Sequence, residues 1–149
     1  MTAQDAAVLN ATARAAQLLD LTERLTTRLS EETRAFEERR PQDVAVSMRD
    51  TQDMANAYRR ESARLKAAPS ELASAPVAAR RRLVEATQTF EAVLARHAGA
   101  VEAARVISEG LVRTIAAEVA SQRGSPSAYG ASGRANSGDD RAIAFNRTA

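Results

Sequence analysis

The single histidine of the sequence is the first residue to test for chemistry, because imidazole is the commonest metal ligand and a frequent general base. His97 lies between Leu94 and Val101 at spacings of three and four residues, so it falls on the apolar face of a predicted helix. A metal site needs three or four ligands, but there is no cysteine and no Asp or Glu on that face one turn away. We therefore predict a partly buried, hydrogen-bonded histidine and no metal site.

Paired acidic residues are the second candidates, because two carboxyl groups can act as general acid and base. Such pairs occur at positions 31–32, 37–38 and 139–140. Adjacent residues on a helix diverge by about 100°, so neither helical pair can point at one substrate atom, and both pairs are predicted to be solvated. The nearest approach to a phosphate-binding loop, at residues 130–133, lacks the following lysine and helix. The sequence therefore predicts no catalytic residue, no cofactor and no enzymatic activity.

The helices that would position these side chains are indicated by the distribution of glycine and proline. Neither residue occurs over about 5–39 or 42–68, and only two glycines occur over 77–123. Prolines separate the three segments, and Pro41 suits the first turn of the second one. Thr2 and Asp5 have the spacing of a capping box. Three long helices are predicted.

The apolar periodicity agrees with these limits. Leucines and one phenylalanine recur at spacings of three, four or seven on the first helix, and the other two helices alternate by three and four residues. A period near 3.5 is typical of left-handed, coiled-coil-like packing. On the third helix this stripe comprises Leu83, Thr87, Phe90, Leu94, His97, Val101, Ala104, Ser108, Leu111 and Ile115.

The predicted fold class is all-α. Either an elongated antiparallel three-helix bundle or a hairpin with a long third helix satisfies the pattern, followed in both cases by a flexible C-terminal tail. The predicted domains are residues 1–123, which are helical, and residues 124–149, which are rich in Gly and Ser. Ile143 and Phe145 return apolar side chains near the end of the tail, as in a docking element.

Basic and acidic residues are nearly balanced, with 21 Lys and Arg against 19 Asp and Glu. Interleaved charges are typical of solvated helix faces, whereas nucleic acid binding needs a concentrated basic stripe, so no nucleic acid partner is predicted. No stretch approaches the roughly 18 apolar residues that span a membrane, and the N-terminus lacks the pattern of a secretory signal. We therefore expect a cytoplasmic protein without stable membrane insertion.

The last helix and the tail carry the most specific pattern, in ARVISEGLVRTIAAEVASQRGSPSAYGASGR followed by AIAFNRTA. A Tyr-Gly pair at Tyr129 and Gly130 is followed by Gly133, and an apolar residue precedes asparagine at Phe145 and Asn146. With the upstream segments LTERLTTRLSEETRAFEERR and TQDMANAYRRE, the chain resembles the FlgN-type flagellar export chaperones, particularly their alphaproteobacterial branch.

This resemblance implies a cytoplasmic chaperone that keeps hook-associated proteins, the proteins of the hook-filament junction, unpolymerised. It also implies delivery of these clients to the export gate of the flagellar type III secretion apparatus, without nucleotide or metal. An amphipathic terminal helix of the client can be masked by packing against another helix. We expect it to contact the end of the third helix and the tail, at Leu111, Val112, Ile115, Val119, Tyr129 and Phe145.

A protein of another class satisfies the same periodicity. In a self-associating coiled-coil scaffold or regulatory protein, the heptads would serve homodimerisation. The sequence leaves the oligomeric state open, as it does the identity of the client.

Overall fold

The computed structural model describes residues 1–124, and all regular secondary structure in that range is helical. Helix α1 spans Ala3–Glu37, α2 spans Pro41–Ala67, α3 spans Ser70–Ala73 and α4 spans Val77–Gly124. The all-α prediction and the long last helix are confirmed. The single-turn α3 was not predicted. The chain divides into two compact units, one of residues 1–108 and one that begins at Glu109, within α4.

Local side-chain chemistry fixes the ends of α1. The Thr2 backbone N–H donates to Oδ2 of Asp5 at 2.9 Å, and the Asp5 N–H donates to Oγ1 of Thr2 at 3.2 Å, which is the predicted capping box. The hydrogen bond from the Thr2 backbone lowers the pKa of Asp5. At the other end, Arg39 adopts a φ of 60°, and the Arg40 N–H donates to the Ala35 carbonyl at 2.8 Å. This is a Schellman ending, after which Pro41 begins α2 as predicted.

Small side chains pack the N-terminal half of α1 against α3 and the start of α4. Ala11, Ala15 and Ala75 are buried together, and Leu72 and Ala79 pack against them. Alanine allows a close approach of helix backbones, because it has no side chain beyond Cβ to separate them. An ion pair between Arg14 and Glu71 borders this cluster.

Larger side chains form the core between α1, α2 and α4. Leu25, Leu29 and Phe90 are buried at its centre. The ring of Tyr58 lies 4.7 Å from that of Phe90, centroid to centroid, so an aromatic pair joins α2 to α4. The other residues packed on this core are Met54, Ala55 and Val93.

The contacts of α1 establish the direction of its neighbours. The short turn at residues 38–40 makes α2 antiparallel to α1. Helix α4 runs parallel to α1, because Ala79 near its start packs on the cluster around Ala15, and His97 further along contacts Thr33. The first unit is therefore an up-down-up bundle of three helices, which is the bundle alternative of the prediction.

Burial along α4 is uneven. Within the first unit, Leu83 and Phe90 are buried, while Leu94 and Val101 on the same predicted stripe are exposed. In the second unit, every residue from 109 to 124 is exposed. Among residues 1–124, no helix combines the length and the apolar character that crossing a bilayer requires.

Candidate protein-binding surfaces

An open groove lies between α2 and α4, with α1 as its floor. It encloses about 500 Å³ and is mostly apolar. Met48 on α2 and Leu94 and Val101 on α4 are exposed at its sides. We call this cavity the α2/α4 groove. Its lining comprises Leu25, Leu29, Glu32, Phe36, Val44, Met48, Thr51, Gln52, Ala55, Tyr58, Arg59, Phe90, Leu94, His97 and Val101.

A carboxylate lies in the lining of this groove. Glu32 is only 6% exposed, and its Oε1 accepts hydrogen bonds from Oγ1 of Thr51 at 2.5 Å and from Oγ of Ser47 at 3.3 Å. The prediction that Glu32 is solvated was therefore wrong. Glu32 continues the inward stripe of Leu25 and Leu29 at a helical spacing of three, so it faces α2 and α4.

The other acidic side chains of the predicted pairs behave as expected of solvated groups. Glu31 is exposed and lies 3.9 Å from Arg28. Glu37 accepts two hydrogen bonds from Arg96, and these lower its pKa. The pKa of Glu38 is lowered by hydrogen bonds from Arg34 and Arg40. The pair at positions 139–140 lies outside the described residues.

His97 is partly buried and hydrogen-bonded, as predicted. Its Nδ1 lies 3.1 Å from Oγ1 of Thr33, whose hydroxyl donates its own proton to the Leu29 carbonyl at 2.6 Å. This contact joins α4 to α1, with Nδ1 as donor or acceptor according to the tautomer of the ring. The ring also meets Phe36 edge to face at 6.1 Å between centroids.

The carboxylate nearest to His97 belongs to another helix, so the residue pattern of α4 alone could not predict it. Nε2 of His97 lies 4.0 Å from Oε2 of Glu32 on α1. The phase of the leucine stripe on α1 was the available signal, since it places position 32 on the same face as position 29. Within residues 1–124, no cluster of three or more His, Cys, Asp or Glu residues could hold a metal ion.

A second apolar surface lies on α4 in the second unit. Leu111, Val112, Ile115 and Val119 are between 41% and 65% exposed. At about 100° per residue they share an arc of roughly 100° on the helix. We call these four residues the α4 stripe. Its use in client binding stays a prediction, and the other two predicted contact residues, Tyr129 and Phe145, lie outside the described residues.

Fold and surfaces together define an all-helical protein with apolar helix faces that no described residue covers. No family model matches the sequence, and no solved structure matches it. The chain is 46% identical over 146 residues to the flagellar basal-body protein FlbY of Caulobacter vibrioides, an alignment that covers 96% of this chain and 98% of that protein. The chain belongs to the family of this flagellar protein. The flagellar association implied by the resemblance is thereby confirmed, and the FlgN-type assignment stays a prediction.

Proposed function

We propose that the protein is a non-catalytic, cytoplasmic export chaperone that binds hook-associated proteins and delivers them to the flagellar type III secretion apparatus. The α4 stripe is the observation that carries this proposal. Large apolar side chains that are exposed together on one helix face mark a surface that binds another protein. The membership in a flagellar family supports a flagellar component as the partner.

The amphipathic terminal helix of a client would lie along the α4 stripe and bury it. Complete burial of a valine or leucine side chain contributes about 1.5–3 kcal/mol, so four half-exposed side chains can supply much of a micromolar affinity. Charged groups flank the stripe, with Arg113 near Glu109 and Glu118 near Gln122, and would remain in water. Residues 1–123 would form the chaperone domain in this arrangement.

Substitutions on opposite faces of α4 test the role of the stripe. We expect Val112→Glu to weaken binding of a purified hook-associated protein about tenfold or more, because a carboxylate would enter an apolar contact. Ala117→Glu is the matched control, since it adds the same charge to the same helix about 140° away from Val112. Calorimetric titration measures both affinities. Equal affinity for the two variants would remove the stripe from the client site.

The residues beyond α4 are proposed to contribute Tyr129 and Phe145 to the same client. A chain that ends at Gly124 is expected to bind the hook-associated protein more weakly. Its helices are expected to stay folded and to give the same circular dichroism signal. Titration calorimetry against the full chain makes the comparison. Unchanged affinity would show that the tail has no part in client binding.

A self-associating scaffold is the alternative function, favoured by the coiled-coil period that leads into the α4 stripe. The same apolar side chains would then meet a second copy of the chain. Light scattering distinguishes the two functions. A stable dimer that Val112→Glu dissociates, with no affinity for a hook-associated protein, would favour the scaffold and overturn the chaperone.

A further inference from the structure

The α2/α4 groove lies wholly within residues 1–108 and is a surface separate from the α4 stripe. Its α2 side runs over residues 44–59, which is about 24 Å of helix, and its α4 side over residues 90–101. The apolar side chains along both sides recur at helical spacings of three and four. Parallel rows of this kind form the hole into which the side chains of a further helix pack, as in a four-helix bundle.

Within this apolar lining, the carboxylate of Glu32 has only one fully engaged oxygen. Oε1 accepts from Thr51 and Ser47, whereas no residue in the described range donates a hydrogen bond to Oε2. Nε2 of His97 is nearest to Oε2, at 4.0 Å, beyond hydrogen-bond distance.

Oε2 is accessible to water, because no fully buried side-chain oxygen within residues 1–124 lacks a hydrogen-bond partner. A charged donor forms the strongest hydrogen bond with such a carboxylate oxygen. A lysine suits this position, because its four-carbon stem can lie along apolar side chains while its ammonium reaches the oxygen. The open Oε2 therefore specifies a cation at the middle of whatever helix fills the groove.

We propose that the α2/α4 groove binds an amphipathic helix of a partner protein, about four turns long, with a single lysine at the centre of its apolar face. The lysine ammonium donates to Oε2 of Glu32 and so fixes the register of the helix.

A designed peptide pair tests the charge requirement. The probe is an 18-residue, fluorescein-labelled amphipathic helix with one central lysine, and its partner has norleucine at that position. Fluorescence anisotropy with the full chain is expected to give about tenfold tighter binding of the lysine peptide, because hydrogen bonds to charged groups are the strong ones. Glu32→Gln keeps an oxygen for Thr51 and is expected to abolish the preference. Glu31→Gln, the same change at the adjacent exposed residue, is expected to keep it.

A second pair of variants tests whether the peptides bind in the α2/α4 groove, and it leaves the hydrogen bonds of Glu32 unaltered. Met48→Glu places a charge at the side of the groove, while Val46→Glu places it at an exposed position on α2 outside the groove. We expect Met48→Glu to weaken the binding of both peptides about tenfold and Val46→Glu to leave both affinities unchanged.

Three results would overturn the proposal. One is equal binding of the two peptides by the unaltered chain. Another is a lysine preference that survives Glu32→Gln. The third is a stable dimer, seen by light scattering, that Met48→Glu dissociates, because a second copy would then be the occupant of the groove.

Discussion

Glu37 and Arg96 join the end of α1 to the middle of α4 through two hydrogen bonds, of 2.9 and 2.7 Å. The hydrogen bond from Arg96 is the main reason that the pKa of Glu37 lies below the ordinary glutamate value of 4.5. A carboxyl group with a lowered pKa in the folded state stabilises the fold above its unfolded pKa. That stabilisation is lost as the pH falls through the folded pKa.

Arg96→Gln is therefore expected to make the loss of stability below pH 4.5 shallower than in the unaltered chain. Urea unfolding at a series of pH values between about 6 and about 3 measures this slope. Arg81→Gln makes the same change at an exposed position elsewhere on α4 and is expected to leave the slope as it is. An identical slope for Arg96→Gln and the unaltered chain would contradict the assignment to this pair.

His97 and Glu32 show how much of the α2/α4 groove could be predicted from the sequence. His97 was placed on an inward face from its spacing to Leu94 and Val101, and its hydrogen-bonded, partly buried state is confirmed. The angle of about 100° between Glu31 and Glu32 does not tell which of them faces the core, whereas the spacing of Glu32 from Leu29 does. Its partners Thr51 and Ser47 belong to another helix, so only the packing of α1 on α2 brings the network together.

At the level of elements, the turn between α1 and α2 depends on a residue in a left-handed conformation. Arg39 has a φ of 60°, which costs a residue with a Cβ roughly 1 kcal/mol relative to glycine. Arg39→Gly is expected to stabilise the protein by about 0.5–1 kcal/mol, measured by urea unfolding. Arg49→Gly, in the exposed interior of α2, is expected to destabilise it by about 1 kcal/mol. Destabilisation by both variants would contradict the Schellman ending.

The start of a helix could be predicted wherever a capping side chain or a proline marks it. The Thr2 capping box and Pro41 marked the starts of α1 and α2 correctly. Helix α3 was missed because four residues are too few to show a period, and only the packing of Leu72 on the alanine cluster reveals its role. The heptads on α4 identified an amphipathic face, but periodicity contains no information about which neighbour covers that face.

At the level of the whole molecule, the first unit has a packed centre and a groove, and the described part of the second unit has an apolar helix face without cover. Exposed apolar area of this kind is retained where a partner buries it. In the proposed function, a secreted flagellar subunit with an amphipathic terminal helix is the partner that buries this area.

Affinity purification of the tagged full chain from cells of its source organism, with bound proteins identified by mass spectrometry, tests the chaperone role most directly. We predict that hook-associated proteins are recovered with the unaltered chain and with Ala117→Glu, and that Val112→Glu loses them. Recovery of basal-body components alone, with no hook-associated protein, would contradict the chaperone role.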